Sequence, residues 1–191
     1  GQTVLVENKA GASGTVGALE VKRAAPDGYT LMCTISTSMI QNRATIKDLP
    51  YDPEKDFILF SVVKGASLVM ASAPKTNTSS LQQFVEYAKK NDGRATIGTY
   101  AIGSTPHILA FELNKQYGLK IEPVHYRGEA PMLADLAGQS IDAAVGSSNG
   151  IIPLAQAGRM TLVGATGAVR VPTLPDLKTL AEQGSTSDLL K

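Results

Sequence analysis

The chain has no tryptophan, one cysteine and two histidines, and aromatic residues make up 5% of its 191 positions. A single cysteine excludes a disulfide within the chain. One cysteine and two histidines also fall short of a structural zinc site. Cys33 lies in the apolar run Leu31-Met32-Cys33, where a buried small side chain is expected. There is no basic excess: 18 Lys and Arg face 17 Asp and Glu, a formal net charge of +1. Lys89-Lys90, the nearest thing to a basic patch, closes a helical pattern. With so few aromatic side chains to stack on bases, the composition argues against a nucleic-acid partner. No apolar run approaches the roughly 20 residues of a membrane span, so no membrane insertion is expected. Gly1-Gln2-Thr3-Val4 carry neither the basic run nor the apolar core of a secretion signal. What is present is a 43% hydrophobic fraction, enough at this length for a packed core.

Short apolar runs alternate with helical patterns along the chain. Thr3–Glu7, Thr30–Ile35, Ser67–Ala71, Arg94–Thr99, Ile121–His125, Ile141–Val145 and Met160–Ala165 read as strands. Most are continuous rather than alternating, as expected of strands covered on both faces. The helices between them have recognisable ends. Ser79 or Ser80 caps a helix whose Leu81, Phe84, Val85 and Ala88 share one face, with Gln82 or Gln83 completing a capping box. Thr105-Pro106 reads as an N-cap followed by proline at the first helical position. Asn149 caps a helix ending at Gly158, and Thr179-x-x-Glu182 is a second capping box, closed by Gly184. This alternation predicts an α/β fold with parallel or mixed sheets flanked by helices. A change of texture at Asn91-Asp92-Gly93 divides the chain into 1–98 and 99–191.

In open parallel sheets, ligands bind beyond the carboxyl ends of the strands. Five loops in that position share a small, hydroxylated or glycine-bearing composition. They are Gly11-Ala12-Ser13-Gly14, Ser36-Thr37-Ser38, Tyr100-Ala101-Ile102-Gly103-Ser104-Thr105, Tyr126-Arg127-Gly128 and Gly146-Ser147-Ser148-Asn149-Gly150. Helix N-termini offer free amides and partial positive charge, and hydroxyls add donors. Together the loops predict a pocket for an oxyanion or carboxylate, although helix capping accounts for any one of them alone. His107 lies in the first turn behind Thr105, where the helix end disfavours its protonation, so packing with a satisfied ring is its expected role. Arg127 either pairs with an acidic ligand or is solvated.

Two enzymatic patterns are weaker. Gly11-x-x-Gly14-x-x-Gly17 lacks dinucleotide spacing, and the next predicted strand runs into Ser36 rather than an acidic residue. Gly146–Gly150 matches G-x-S-x-G, with Ser148 as nucleophile. In α/β-hydrolases, however, the histidine follows the serine, whereas His107 and His125 both precede it.

Gly1-Gln2-Thr3-Val4-Leu5-Val6-Glu7-Asn8-Lys9, Gly11-Ala12, Gly14 and Ala25-Pro26-Asp27-Gly28-Tyr29-Thr30-Leu31 open a longer pattern. It continues through Leu49-Pro50-Tyr51-Asp52-Pro53, Lys55-Asp56-Phe57, Gly103-Ser104-Thr105-Pro106-His107 and Tyr126-Arg127-Gly128. Pro131, Asp135-Leu136, Gly138-Gln139, Asp142, Leu174-Pro175-Asp176 and Ala181-Glu182 complete it. In this order the pattern resembles the Bug receptors, the extracytoplasmic solute-binding proteins of tripartite tricarboxylate transporters.

The resemblance implies a periplasmic binding protein of two lobes, type II-like, with a ligand cleft between them that closes by hinge motion. It implies a monomer, with no cofactor, no metal and no catalytic residue, that passes a small carboxylate to a membrane permease. It places ligand contacts on Gly11, Ala12, Ser13 and Gly14, on Ser36, Thr37 and Ser38, and on Tyr100, Ala101, Gly103, Ser104 and Thr105. It adds Tyr126, Arg127 and Gly128, then Ser147, Ser148 and Asn149. Family members also have a strand and glycine-rich loop before the position of Gly1 and a return segment after Leu190. Lobe 1 (1–98) is therefore expected to be incomplete and lobe 2 (99–191) nearly whole. The loop after Ile141–Val145 often carries an acid in the family. Here it is neutral, which favours a plain carboxylate over an amino acid. The alternatives are a serine hydrolase using Ser148 and a ligand sensor serving a signalling partner.

Overall fold

A computed structural model describes residues 1–62 and 68–187. The chain forms two compact units, Gly1–Val62 and Val63–Lys191. The strand and helix of residues 69–90 belong to the second unit's sheet and core. Among the described residues, no helix is long and apolar enough to cross a membrane.

In the first unit the runs Thr3–Glu7 and Thr30–Ile35 are not strands. A strand is held by the hydrogen-bond ladder of a neighbour, and no described segment pairs with either run. Val4, Leu5 and Val6 are accordingly 81%, 82% and 84% exposed. Cys33, expected to be buried, is exposed for the same reason. What does form is α1 (Thr15–Arg23), a π-helical turn at Thr37–Gln41, and α2 (Asn42–Thr45) continuing from it. The interior here is largely polar, with Thr15, Thr37, Ser38 and Asn42 buried beside Ala18 and Tyr51. Asn42 Nδ2 donates to Ser13 O at 3.0 Å and to Tyr51 Oη at 3.1 Å, and Tyr51 Oη donates to Ser38 O.

The second unit is a five-stranded mixed sheet between two helical layers. Its strands are β1 (Val69–Ser72), β2 (Thr96–Thr99), β3 (Glu122–His125), β4 (Ala143–Gly146) and β5 (Thr161–Ala165), in the spatial order β3-β2-β4-β1-β5. The predicted strand start at Ser67 lies outside the described residues. β2 runs parallel to β3 and β4, whereas β1 is antiparallel to both β4 and β5. Side chains alternate across the sheet with the period of two that strands impose. Met70, Ile97, Val145 and Val163 pack on α3 (Leu81–Lys90) and α4 (Thr105–Tyr117). Val69, Ala71, Ala144 and Ala165 pack on α5 (Glu129–Ala137) and α6 (Ser148–Gln156).

Helix ends follow local chemistry, sometimes shifted by a residue or two. Ser80 caps α3 by accepting from Gln83 N, while Gln83 Oε1 accepts from Ser79 N. Ser104 rather than Thr105 precedes α4, and Ser147 rather than Asn149 caps α6. Thr179 and Glu182 exchange both bonds of a capping box, but around a turn rather than a regular helix.

Asp142 anchors the entry edge of the sheet. Its carboxylate accepts from Thr96 N (2.8 Å), Thr96 Oγ1 (2.9 Å) and Tyr87 Oη (3.0 Å), and it pairs with Lys75 (3.0 Å). Burial pushes this carboxyl up. The Thr96 amide, Lys75, and the Thr96 and Tyr87 hydroxyls outweigh burial and hold it below the ordinary 3.8. A depressed folded-state value adds stability above pH 3.8, and that stability is lost as pH falls through the lowered value. Asp142→Asn is expected to cost about 1–3 kcal/mol at neutral pH and to reduce the acid-induced loss of stability. Urea denaturation across pH measures this, and equal acid sensitivity in both proteins would remove Asp142 from the role.

Candidate functional site

Because β2, β3 and β4 are parallel, their carboxyl ends open on one edge, and three of the five predicted loops lie there. Each of these loops leads into the start of a helix, α4, α5 or α6. The loops Gly11–Gly14 and Ser36–Ser38 belong to the first unit.

On the β2–α4 loop, Ser104 is fully buried, and its Oγ donates to Ala101 O at 2.6 Å. That hydroxyl holds the loop and is not free for a ligand. Thr105 is half-buried at the first position of α4. Pro106 has no amide, so the donors of this helix end are Thr105 N and His107 N. Gly103 N donates to His107 Nδ1 at 3.0 Å, which leaves the proton of the neutral ring on Nε2. Burial, then the nearby His125, pushes His107 below its ordinary value. The two rings meet edge to face at 5.0 Å, and His125 Nδ1 bonds Thr99 Oγ1 at 2.6 Å across the β2–β3 pair. His107 therefore has the packed ring that its sequence position suggested, with Nδ1 engaged by the Gly103 amide.

On the β3–α5 loop, Tyr126 Oη donates to Asp135 Oδ2 at 2.7 Å, and Arg127 is exposed. Tyr100 is half-buried, and burial together with the Glu129 charge pushes its phenol up to about 12.

The β4–α6 loop is not electrostatically neutral, contrary to the sequence reading. Glu129, the first residue of α5, places its carboxylate against that loop: Oε1 accepts from Ser147 N at 3.1 Å and Ser147 Oγ at 2.7 Å. Ser147 Oγ in turn accepts from Gly150 N at 3.1 Å. The start of α6 thus already holds an anion of the protein's own, and the Ser147 hydroxyl is committed to it. Ser148 is half-buried and Asn149 exposed. The acid is not evident from the loop's own sequence because it comes from the start of α5, 18 residues away. Glu129 at a helix start reads locally as dipole complementation.

In the first unit, Gly11, Ala12, Ser13 and Gly14 all have positive φ, from 46° to 134°. For Ala12 and Ser13 this left-handed backbone costs about 1–2 kcal/mol each. Ser13 O is held by Asn42 Nδ2 and, at 3.4 Å, by Ser38 Oγ, which also bonds Thr34 Oγ1 at 2.8 Å. A side chain at Gly14 would collide with Ser38 Oγ, so only glycine lets these two loops meet. Thr37 is buried, and Ser36 accepts from Gln41 Nε2 at 3.3 Å. Asn42, which knits this patch, carries no motif that would single it out.

A cavity of about 240 Å³ lined by Tyr87, Arg94, Thr96 and Asp142 lies away from all these loops, at the amino ends of β2 and β4. Its polar groups are largely those of the Asp142 network.

An α/β unit with helix starts gathered at one sheet edge is the architecture of periplasmic binding proteins. The solved periplasmic binding protein BugD superposes with a TM-score of 0.88 at 29% identity, over 97% of this chain and 62% of that one. The Rhodopseudomonas palustris protein Rpa4515, solved with adipate, superposes at 0.91 with 29% identity, again over 97% and 62%. The tripartite tricarboxylate transporter family receptor profile matches residues 1–189, and the chain belongs to that family. The protein BugT of Bordetella pertussis is 28% identical over 96% of this chain and 57% of its own length. The chain thus spans about half the length of the curated relatives it matches.

Burial, then the Asp135 bond and charge, pushes the Tyr126 phenol from 10.0 up to about 12. The folded state favours the neutral phenol, so this stability is whole below pH 10.0 and declines as pH rises through about 12. Tyr126→Phe is expected to cost about 1 kcal/mol at neutral pH and to flatten the alkaline decline. Denaturant titration at increasing pH measures both, and an unchanged alkaline limb would contradict the assignment.

Proposed function

We propose that this chain is the solute-recognising part of a periplasmic receptor for a small organic carboxylate, which it passes to the permease of a tripartite tricarboxylate transporter. It works as a binder, not an enzyme. Family membership over residues 1–189 carries the reading, and the adipate-bound relative at 29% identity supports the ligand class. An anion site in the free amides at the start of α4 is consistent with this reading, with Thr105 at that helix end and Arg127 exposed on the neighbouring β3–α5 loop. The near-zero net charge suits a receptor whose affinity for anions comes from local dipoles.

A hydrolase using Ser148 has less support. No hydrogen bond joins Ser148 to either imidazole among the described residues. The Nδ1 of both rings is engaged elsewhere, by Gly103 N and by Thr99 Oγ1. A serine-reactive probe is expected to leave the protein unlabelled, and stoichiometric labelling at Ser148 would overturn the receptor reading.

In the full-length receptor, Ser104→Ala combined with Thr105→Ala is expected to weaken carboxylate binding about tenfold. The change removes one hydroxyl from the site and loosens the loop that aims the α4 amides. Calorimetry with adipate measures it, and unchanged affinity would remove this loop from the site.

A further inference from the structure

The carboxylate of Glu129 is built into the loop edge without a counter-charge. Oε1 is fixed by the Ser147 amide and hydroxyl, while Oε2 has no hydrogen bond and no cation among the described residues. Space for it is made by glycine on both sides. A Cβ at Gly146 would stand 3.2 Å from Oε1, and one at Gly150 would collide with it. Leu133 Cδ1 and Ile151 Cδ1 stand near the same two glycine positions, so apolar side chains border this space. Half-buried, it keeps an exposed side. The Tyr100 phenol lies close enough to feel its charge, and it holds its proton at neutral pH. A fixed carboxylate in such surroundings repels a second carboxylate and attracts a cationic donor far more strongly than it would in bulk water.

We infer that Glu129 is a specificity-determining residue that selects ligands pairing a carboxylate with an ammonium group, an amino acid rather than a plain dicarboxylate. This rests on the carboxylate-receptor reading and reverses the preference suggested by the neutral sequence of the β4–α6 loop. The ligand's carboxylate takes the amides at the start of α4, and its ammonium takes the open oxygen of Glu129.

The test compares three probes of one chain length on the full-length receptor by thermal shift and calorimetry. They are adipate, its α-amino derivative, and ω-aminohexanoate, in which one carboxylate is exchanged for an ammonium. At least one amino probe is expected to bind about tenfold or more tighter than adipate. Glu129→Gln keeps an acceptor for Ser147 while removing the charge, so it is expected to abolish that preference or turn it toward adipate. A residue that merely caps α6 would leave the ratio between probes unchanged. Adipate binding best to the wild type, or a ratio indifferent to Glu129→Gln, overturns the inference and leaves the receptor reading standing. Failure of all three probes to bind would overturn both.

Discussion

Asp142 sits where β4 begins, and its carboxylate is shared by the first residue of β2, by Tyr87 of α3 and by Lys75 just after β1. Three segments from residues 75–96 are thereby tied at one corner to a strand that begins at least 46 positions later. β2 then runs parallel to β3 and β4, so their carboxyl ends and the loops beyond them reach a single edge. A slip of one residue would move every inward side chain to the wrong face. It would carry Val145 off the α3–α4 layer and Ala144 off the α5–α6 layer. The gathering of three helix starts at one edge is a consequence of this alignment.

At that edge the polar groups divide between structure and recognition. The hydroxyls of Ser104 and Ser147, which look like ligand donors, are taken up by Ala101 O and by Glu129. The backbone amides at the start of α4, the Thr105 side chain and the exposed Arg127 remain. Glu129 occupies the amide end of α6, so the edge presents a positive helix end and a fixed negative charge instead of a uniform anion pocket.

Local patterns were most legible where tertiary context agreed with them. The capping box of Ser79, Ser80 and Gln83 and the apolar face of α3 follow from spacing alone, and both appear as read. The strands of the second unit were legible because each has a paired neighbour that lets an apolar run become a strand. Thr3–Glu7 and Thr30–Ile35 have the same β-rich composition but no partner among the described residues, and they stay irregular and largely exposed. Propensity names a candidate strand, whereas the ladder makes one.

The sequence by itself determined the α/β class, the apolar face of α3, the starts of α3, α4 and α6 to within one or two residues, and the loops that flank the second unit's strands. Periodicity, capping and turn preference are local, and they act within a few residues. Only the tertiary structure decided the order of the strands, the antiparallel placing of β1, the housing of Asp142, and the meeting of Glu129 with Ser147. Those contacts join residues from 18 positions apart, Glu129 and Ser147, to 96 apart, Val69 and Ala165. No local pattern encodes which distant partner a side chain finds. The electrostatic character of the loop edge therefore belongs to the fold, although every residue that makes it is plain in the chain.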